Sequence, residues 1–290
     1  MKEAILYIKV NENKLQCIAC NHRCIIEEGG KGICFVREHL QGKLWSLNYG
    51  KTVGLNIDPI EKKPLYHFLP GTRTYSFAAA GCNFRCAWCQ NWEIAQSPRL
   101  KQSIEGIEIS PEEHVKRAME AGCPSISYTY TEPTVFVEYA LETMMIAKAK
   151  GLKNIWVTNG YMTHETLDKI IPYLDAANVD LKGDNDKIYE EYCGGKVKPV
   201  MDNLRFFYRE GVHVEITTLV IPGVNDKKEQ LDVIAKFIAT ELGTDVPWHI
   251  SRFFPAWKMQ GTPVTPVKTL EMAELIGKNA GLHYIHLGNV

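Results

Sequence analysis

The chain has 290 residues, 45% of them hydrophobic and 23% charged, with a formal net charge of -1. That length and apolar content suffice for one main domain with a substantial core and an appendage. A charge so close to neutral offers no concentrated basic face, so neither a nucleic-acid nor a membrane partner is expected.

The first stretch, Met1–Val10, alternates charged and apolar residues and has neither the unbroken apolar run nor the cleavage site of a secretory signal. No later run is long enough to span a bilayer, and a cytoplasmic setting is expected. Nine cysteines are an odd count, and seven of them fall in two tight groups, which in a reducing compartment points to metal or cluster ligation rather than disulfides. The first group is Cys17, Cys20, Cys24 and Cys34, with His22 offering a spare nitrogen. Four thiolates saturate a tetrahedral zinc or a closed iron–sulfur cluster, and spacing does not separate the two. Residues 1–73 carry short β-prone runs such as Lys43–Leu47 but no strand–helix rhythm. They read as a Cys-rich extension with little core of its own, for which a structural zinc is favoured over an auxiliary iron–sulfur cluster.

From residue 74 the pattern changes. Runs at Thr74–Ala79, Ser125–Tyr130, Asn154–Thr158, Asn178–Lys182, His213–Val220, Trp248–Phe253 and His283–Leu287 read as strands separated by helical segments. Ser110 before Pro111, with Glu113 three residues on, forms a capping box for a helix closing at Gly122. A second box is expected from Asp226 and Glu229, and Gly151, Gly211 and Gly281 mark helix ends. Strands such as Ile155-Trp156-Val157 are apolar on successive residues, as in a parallel sheet covered on both faces. The fold class is therefore α/β, a partial (β/α)6-type barrel over residues 74–290, whose ligand gathers at the C-terminal strand ends.

The strongest signal follows the first of these strands. Gly81-Cys82-Asn83-Phe84-Arg85-Cys86-Ala87-Trp88-Cys89 brings three thiols into one loop. A four-iron cubane takes four thiolates, so three leave one iron open for a chelating amine and carboxylate. The Cys-x3-Cys-x2-Cys spacing resembles the signature of the radical S-adenosylmethionine (SAM) superfamily. That resemblance implies a 4Fe-4S cluster on Cys82, Cys86 and Cys89, SAM as co-substrate, and Trp88 packed near the adenine.

Further motifs resemble the pyruvate formate-lyase activating enzyme branch of that superfamily. By that resemblance Glu132, in Thr129-Tyr130-Thr131-Glu132-Pro133, meets the SAM ammonium. Thr158-Asn159-Gly160 and Asp180-Leu181-Lys182 end the third and fourth strands, with Asp180 and Lys182 on one face and Lys182 meeting the SAM carboxylate. An internal salt bridge would look the same in sequence. Thr217, Leu219 and Arg252 are expected at the adenine and ribose end. Val157 stands where the activating enzyme has an aspartate implicated in holding a cation, so that cation site is in doubt. The N-terminal cysteines together with Asp58-Pro59-Ile60-Glu61-Lys62-Lys63-Pro64 resemble the radical SAM members of the AmmeMemoRadiSam system. In that motif His67 and Lys62 read as a surface turn rather than as pocket residues. Cys123 is unassigned, and Cys193 is a candidate to face substrate. Val290 directly follows a strand-like run, which leaves room for a missing final segment.

The resemblance implies reductive cleavage of SAM, with an electron from a donor such as flavodoxin or ferredoxin, and hydrogen abstraction from a substrate. The substrate it suggests is the α-carbon of a glycine in a partner glycyl radical protein. A small molecule or another protein as substrate is a rival within enzymes. A zinc-stapled scaffold that performs no chemistry is a rival from another class.

Overall fold

The computed structural model describes residues 1–290. Six short strands occupy the extension: β1 (Lys2–Glu3), β2 (Tyr7–Asn11), β3 (Lys14–Cys17), β4 (Ile25–Glu27), β5 (Arg37–Leu40) and β6 (Lys43–Ser46). They form two three-stranded sheets, ordered β1-β6-β5 and β2-β3-β4. The long strand β7 (Lys51–Pro59) leads to β8 (Arg73–Ala79), followed by β9 (Ile107–Glu108), β10 (Ser125–Tyr128), β11 (Lys153–Thr158), β12 (Ala176–Asp180), β13 (His213–Val220), β14 (Trp248–Arg252) and β15 (Ile285–Gly288). One nine-stranded sheet runs β15-β14-β13-β12-β11-β10-β8-β7-β9, in which β8 and β10 to β15 are mutually parallel. This is the mostly parallel sheet of a partial barrel. β7 pairs antiparallel along the whole of β8, from Pro59 opposite Arg73 to Thr52 opposite Ala79, so the sheet reaches back before residue 74.

Alternation along the strands separates two buried faces. Phe77 and Tyr128 pack edge to face at 5.2 Å on the side covered by helices, while Thr74 and Ser127 on the other side share a 2.8 Å hydroxyl bond. The helix Pro111–Glu120 opens as its sequence dictates, with the Ser110 hydroxyl accepting from the Glu113 N–H, and Gly122 turns the chain with φ +64°. The helix expected to start at Asp226 starts instead at Lys228. Its cap bond runs from the Lys227 N–H to the Gln230 side chain, and Asp226 accepts from the Gly223 N–H within the preceding turn.

The segment between β7 and β8 crosses beneath the barrel. The Tyr66 and His67 amides donate to Glu215 at 3.0 and 2.8 Å, Asn178 donates to the Pro64 carbonyl at 2.8 Å, and His67 Nε2 lies 2.9 Å from His286 Nε2 on β15. The extension docks near the opposite end, where Thr166 donates to the Ala19 carbonyl and Asn21 to the Met162 carbonyl. It is also held by a buried ion pair, Arg37 to Glu138, with two parallel bonds of 2.8 and 2.7 Å. No helix is long and apolar enough to cross a membrane.

Candidate functional site

A cavity of about 640 Å³ opens at the C-terminal ends of the parallel strands. It is within the range of pockets that enclose a small ligand. Its floor is the loop after β8, which contributes Cys82, Cys86, Trp88 and Cys89. Gly81 makes the turn into this loop with φ +110°, and a Cβ there would stand 2.7 Å from Val36 of the extension. Only glycine lets the extension pack this closely against the thiol loop.

All three sulfurs line one cavity; as placed they do not close on a single metal ion, and a cubane takes each thiolate on a different iron. Their surroundings suit sulfur-ligated iron. The Phe84 amide donates to Cys82 Sγ at 3.4 Å, the Asn159 side chain reaches the same sulfur at 3.9 Å, and the buried Asn83 Nδ2 beside it has no partner. N–H groups converging on a thiolate are the hydrogen bonds that tune such clusters. Burial pushes the Cys82 thiol up and Cys89 up to about 12, so a soft cation is what would draw off their protons. Cys86 is shifted the other way, chiefly by a hydrogen bond from the Cys193 thiol. The donor set therefore fits a cluster with one open iron.

Glu132 is buried on the next wall. Its Oε1 accepts from the Thr134 amide (3.1 Å), the Thr134 hydroxyl (2.6 Å) and the Thr158 hydroxyl (2.8 Å), and its Oε2 accepts only from the Asn159 amide (2.8 Å). A carboxylate has about four lone-pair sites, two on each oxygen, so Oε2 keeps one free for a ligand in the cavity. Burial raises the Glu132 pKa despite those bonds, and an ammonium in the cavity would favour the charged form.

β12 stops at Asp180, but Lys182 still turns back into the cavity and meets Asp180 at 2.8 Å. Burial alone would lower its pKa; the Asp180 charge, and after it that of Cys86, hold the ammonium well above its usual value. Thr158, Asn159, Thr217 and Leu219 also line the cavity. Val157 lines it too, and presents no oxygen to a cation.

Two expected positions differ. Arg252 is not on the cavity wall: its Nε donates to the Thr265 carbonyl at 2.8 Å and its guanidinium lies over Phe254, because the loop after β14 folds back against the strand end. Cys193 does not face the cavity. It is fully buried behind the loop, against Cys86, and its carbonyl accepts from the Arg85 amide at 2.9 Å. Cys123 is buried in the core. Lys62 and Lys63 line the cavity, whereas His67 lies beneath the barrel. Only the long-range pairing of β7 with β8 brings the lysines there, and no local pattern encodes that pairing.

Cys17, Cys20, Cys24 and Cys34 together line a second, much smaller cavity of about 10 Å³, with no disulfide among them. As placed, their sulfurs do not close on a single point. Burial pushes Cys17 up to about 11 and raises Cys20 and Cys34. Arg37 lines the same cavity, and its buried Nε has no partner. The spare nitrogen of His22 is used elsewhere, 2.9 Å from the Asn83 carbonyl, linking the extension to the thiol loop.

Comparison with known proteins agrees with this geometry. The model of the radical SAM superfamily matches residues 78–237. An uncharacterized protein of Methanocaldococcus jannaschii is 45% identical across the whole of this chain, which covers 86% of it. The pyruvate formate-lyase-activating enzyme of Clostridium pasteurianum is 25% identical over 58% of this chain and 70% of its own length. Among solved structures, a radical SAM methyltransferase from Sphaerobacter thermophilus superposes with a TM-score of 0.55 over 98% of this chain and 75% of its own; at 13% identity this is a likeness of fold.

Proposed function

The chain belongs to the radical SAM superfamily, and on that premise we propose that it cleaves SAM reductively and abstracts hydrogen from a substrate in the manner of a glycyl-radical activating enzyme. The observation that carries this reading is the convergence of Cys82, Cys86 and Cys89 with Glu132 and the Asp180–Lys182 pair on one cavity.

When bound, the cluster would pass one electron to the SAM sulfonium, breaking its C5′–S bond to give methionine and a 5′-deoxyadenosyl radical, which takes a hydrogen atom from the substrate and becomes 5′-deoxyadenosine. Cys82, Cys86 and Cys89 would hold the iron, leaving one ligand position for the methionyl end of SAM. Glu132 Oε2 would accept from the ammonium, and Lys182 would donate to the carboxylate. Trp88, buried and tilted 5.8 Å from Tyr192, offers an apolar face for the adenine, and Thr217 and Leu219 close that end.

The activating-enzyme likeness is supported by the relative from C. pasteurianum and by the motifs at Glu132, Thr158 and Lys182. On this reading the substrate is a glycine of a glycyl radical protein, and the electron comes from a flavodoxin or ferredoxin. The likeness to the radical SAM members of the AmmeMemoRadiSam system, and a metal held by Cys17, Cys20, Cys24 and Cys34, belong to the same proposal. The orphaned Arg37 Nε supports the metal, since a thiolate sulfur would satisfy it.

The test is electron paramagnetic resonance of the dithionite-reduced, iron-loaded protein with and without SAM. A cluster signal whose g-values shift on adding SAM is expected, and it should be lost in Cys86→Ala. A loaded, reducible cluster indifferent to SAM would defeat the reading.

A further inference from the structure

The Lys62–Lys63 turn is a charged part of the cavity wall that SAM recognition leaves unused. Asp58, buried near the end of β7, accepts from Lys62 Nζ at 3.0 Å, from Lys63 Nζ at 2.6 Å and from the Tyr130 hydroxyl. Lys63 is buried, with its ammonium 4.3 Å from the centre of the Tyr130 ring, and Lys62 is largely exposed at the cavity edge. Three donors converge on one carboxylate, and two of them are cations.

The charge count sets this wall apart from the other. At the end of β12 one lysine faces one aspartate, and the pair is neutral. At the turn after β7 two lysines face one aspartate, and the group carries a net charge of +1. Asp58 stands opposite Thr74 near the start of β8, whereas Asp180 and Lys182 stand at the far end of β12, so the two groups lie at different depths of the cavity. Lys63 and Tyr130 both donate to Asp58 Oδ2, and Lys62 alone reaches Oδ1, a bond that uses one of its three ammonium donors. Lys62 is largely exposed on the cavity wall, so its other two donors stay open to a ligand. SAM brings a single carboxylate, and Lys182 meets it.

We propose that Lys62 and Lys63 bind an anionic group, a carboxylate or a phosphate, on the substrate from which hydrogen is taken. This rests on the radical SAM reading of the cavity. The substrate's anion completes the ion cluster around Asp58 and holds the remainder of the molecule in the cavity that also contains the thiol loop.

The experiment is calorimetric titration of the anaerobic, iron-loaded protein. SAM is titrated first, then inorganic phosphate and, separately, malonate into the SAM-bound protein. One of the two anions should bind, and which one separates phosphate from carboxylate substrates. Lys62→Gln should weaken that anion at least about tenfold, the loss of one charge-assisted hydrogen bond. Lys62→Glu should abolish binding and Lys62→Arg restore it, with SAM affinity unchanged throughout. Because Lys62 also bonds the buried Asp58, circular dichroism and unchanged SAM affinity check that each variant is folded; Lys236→Gln, on the outer helix Lys228–Phe237, serves as the control. Wild-type protein that binds SAM but neither anion overturns the inference and spares the radical SAM reading. So do Lys62 variants with unaltered anion affinity, or variants that weaken SAM instead. If SAM itself does not bind, the radical SAM reading fails, and Lys62-dependent anion binding to the SAM-free protein then decides the lysines separately.

Discussion

Glu132→Gln is the perturbation for which the structure yields a magnitude. The carboxylate takes three donors on Oε1 and one, the Asn159 amide, on Oε2, which leaves Oε2 free to accept from an ammonium. An amide cannot reproduce this in either orientation. With its nitrogen in place of Oε2 it meets the Asn159 N–H donor to donor and repels the ammonium; with its nitrogen in place of Oε1 it meets three donors. Losing a hydrogen bond to a charged group costs about 1.5 to 3 kcal/mol, or roughly 10- to 150-fold in the Kd for SAM. Equilibrium dialysis of radiolabelled SAM against anaerobic, iron-loaded protein measures it, with iron content and circular dichroism confirming that the variant is folded and loaded. The pH dependence follows from the same group. Burial raises its pKa above the ordinary 4.5, so wild-type affinity should begin to fall above that pH as the solution is acidified, and Glu132→Gln should lose this dependence. An affinity within twofold of wild type in a loaded variant would refute the assignment.

Glu138→Ala leaves the buried Arg37 guanidinium without its counterion and should cost about 3–5 kcal/mol in denaturant unfolding. Replacing both partners together, Arg37→Met with Glu138→Leu, should recover most of it, and equal losses in single and double variants would contradict the pairing. At the base of the barrel, burial would raise the Glu215 pKa, but bonds from His213 and His249 and from the Tyr66 and His67 amides hold it down to about 2. A lowered carboxylate pKa contributes stability that is present above about 4.5 and lost as the pH falls toward 2. The size is about 3 kcal/mol, from the shift of 4.5 to about 2 at 1.36 kcal/mol per unit. Acid melts of Glu215→Gln should lose that slope. Gly81→Ala combines φ +110° with a Cβ 2.7 Å from Val36, so both melting temperature and iron per chain should drop; wild-type values for both would show that the extension does not brace the loop. Cys34→Ala should remove a metal detectable by mass spectrometry while leaving the iron of the Cys82–Cys89 loop in place.

What the sequence discloses is local. The strand at Thr74–Ala79, the cap at Ser110 and the three thiols after β8 are written in contiguous residues, and their periodicity or spacing suffices. The placing of Glu132 and Lys182 on the cavity was legible because each follows a strand in regular order and lies in a motif that resembles the activating-enzyme branch. The rest depends on chain returning from a distance. Lys62 and Lys63 enter the cavity only because β7 pairs backward along β8, and His67 is drawn beneath the barrel by Glu215, nearly 150 residues on. Arg252 left the wall because a loop carbonyl 13 residues later captures its Nε, and Cys193 turned inward because the wide π-type turn at Tyr189–Cys193 carries it behind Cys86. Each of these is a tertiary contact competing with a local expectation.

The central claim is that the loop of Cys82, Cys86 and Cys89 supports reductive cleavage of SAM. The direct measurement is 5′-deoxyadenosine formed when anaerobic, iron-loaded protein is mixed with dithionite and SAM, in wild type and in Cys86→Ala. The account predicts deoxyadenosine from wild type and none from the variant. Wild-type protein with a full, reducible cluster that forms none, or equal yields from both proteins, would contradict it.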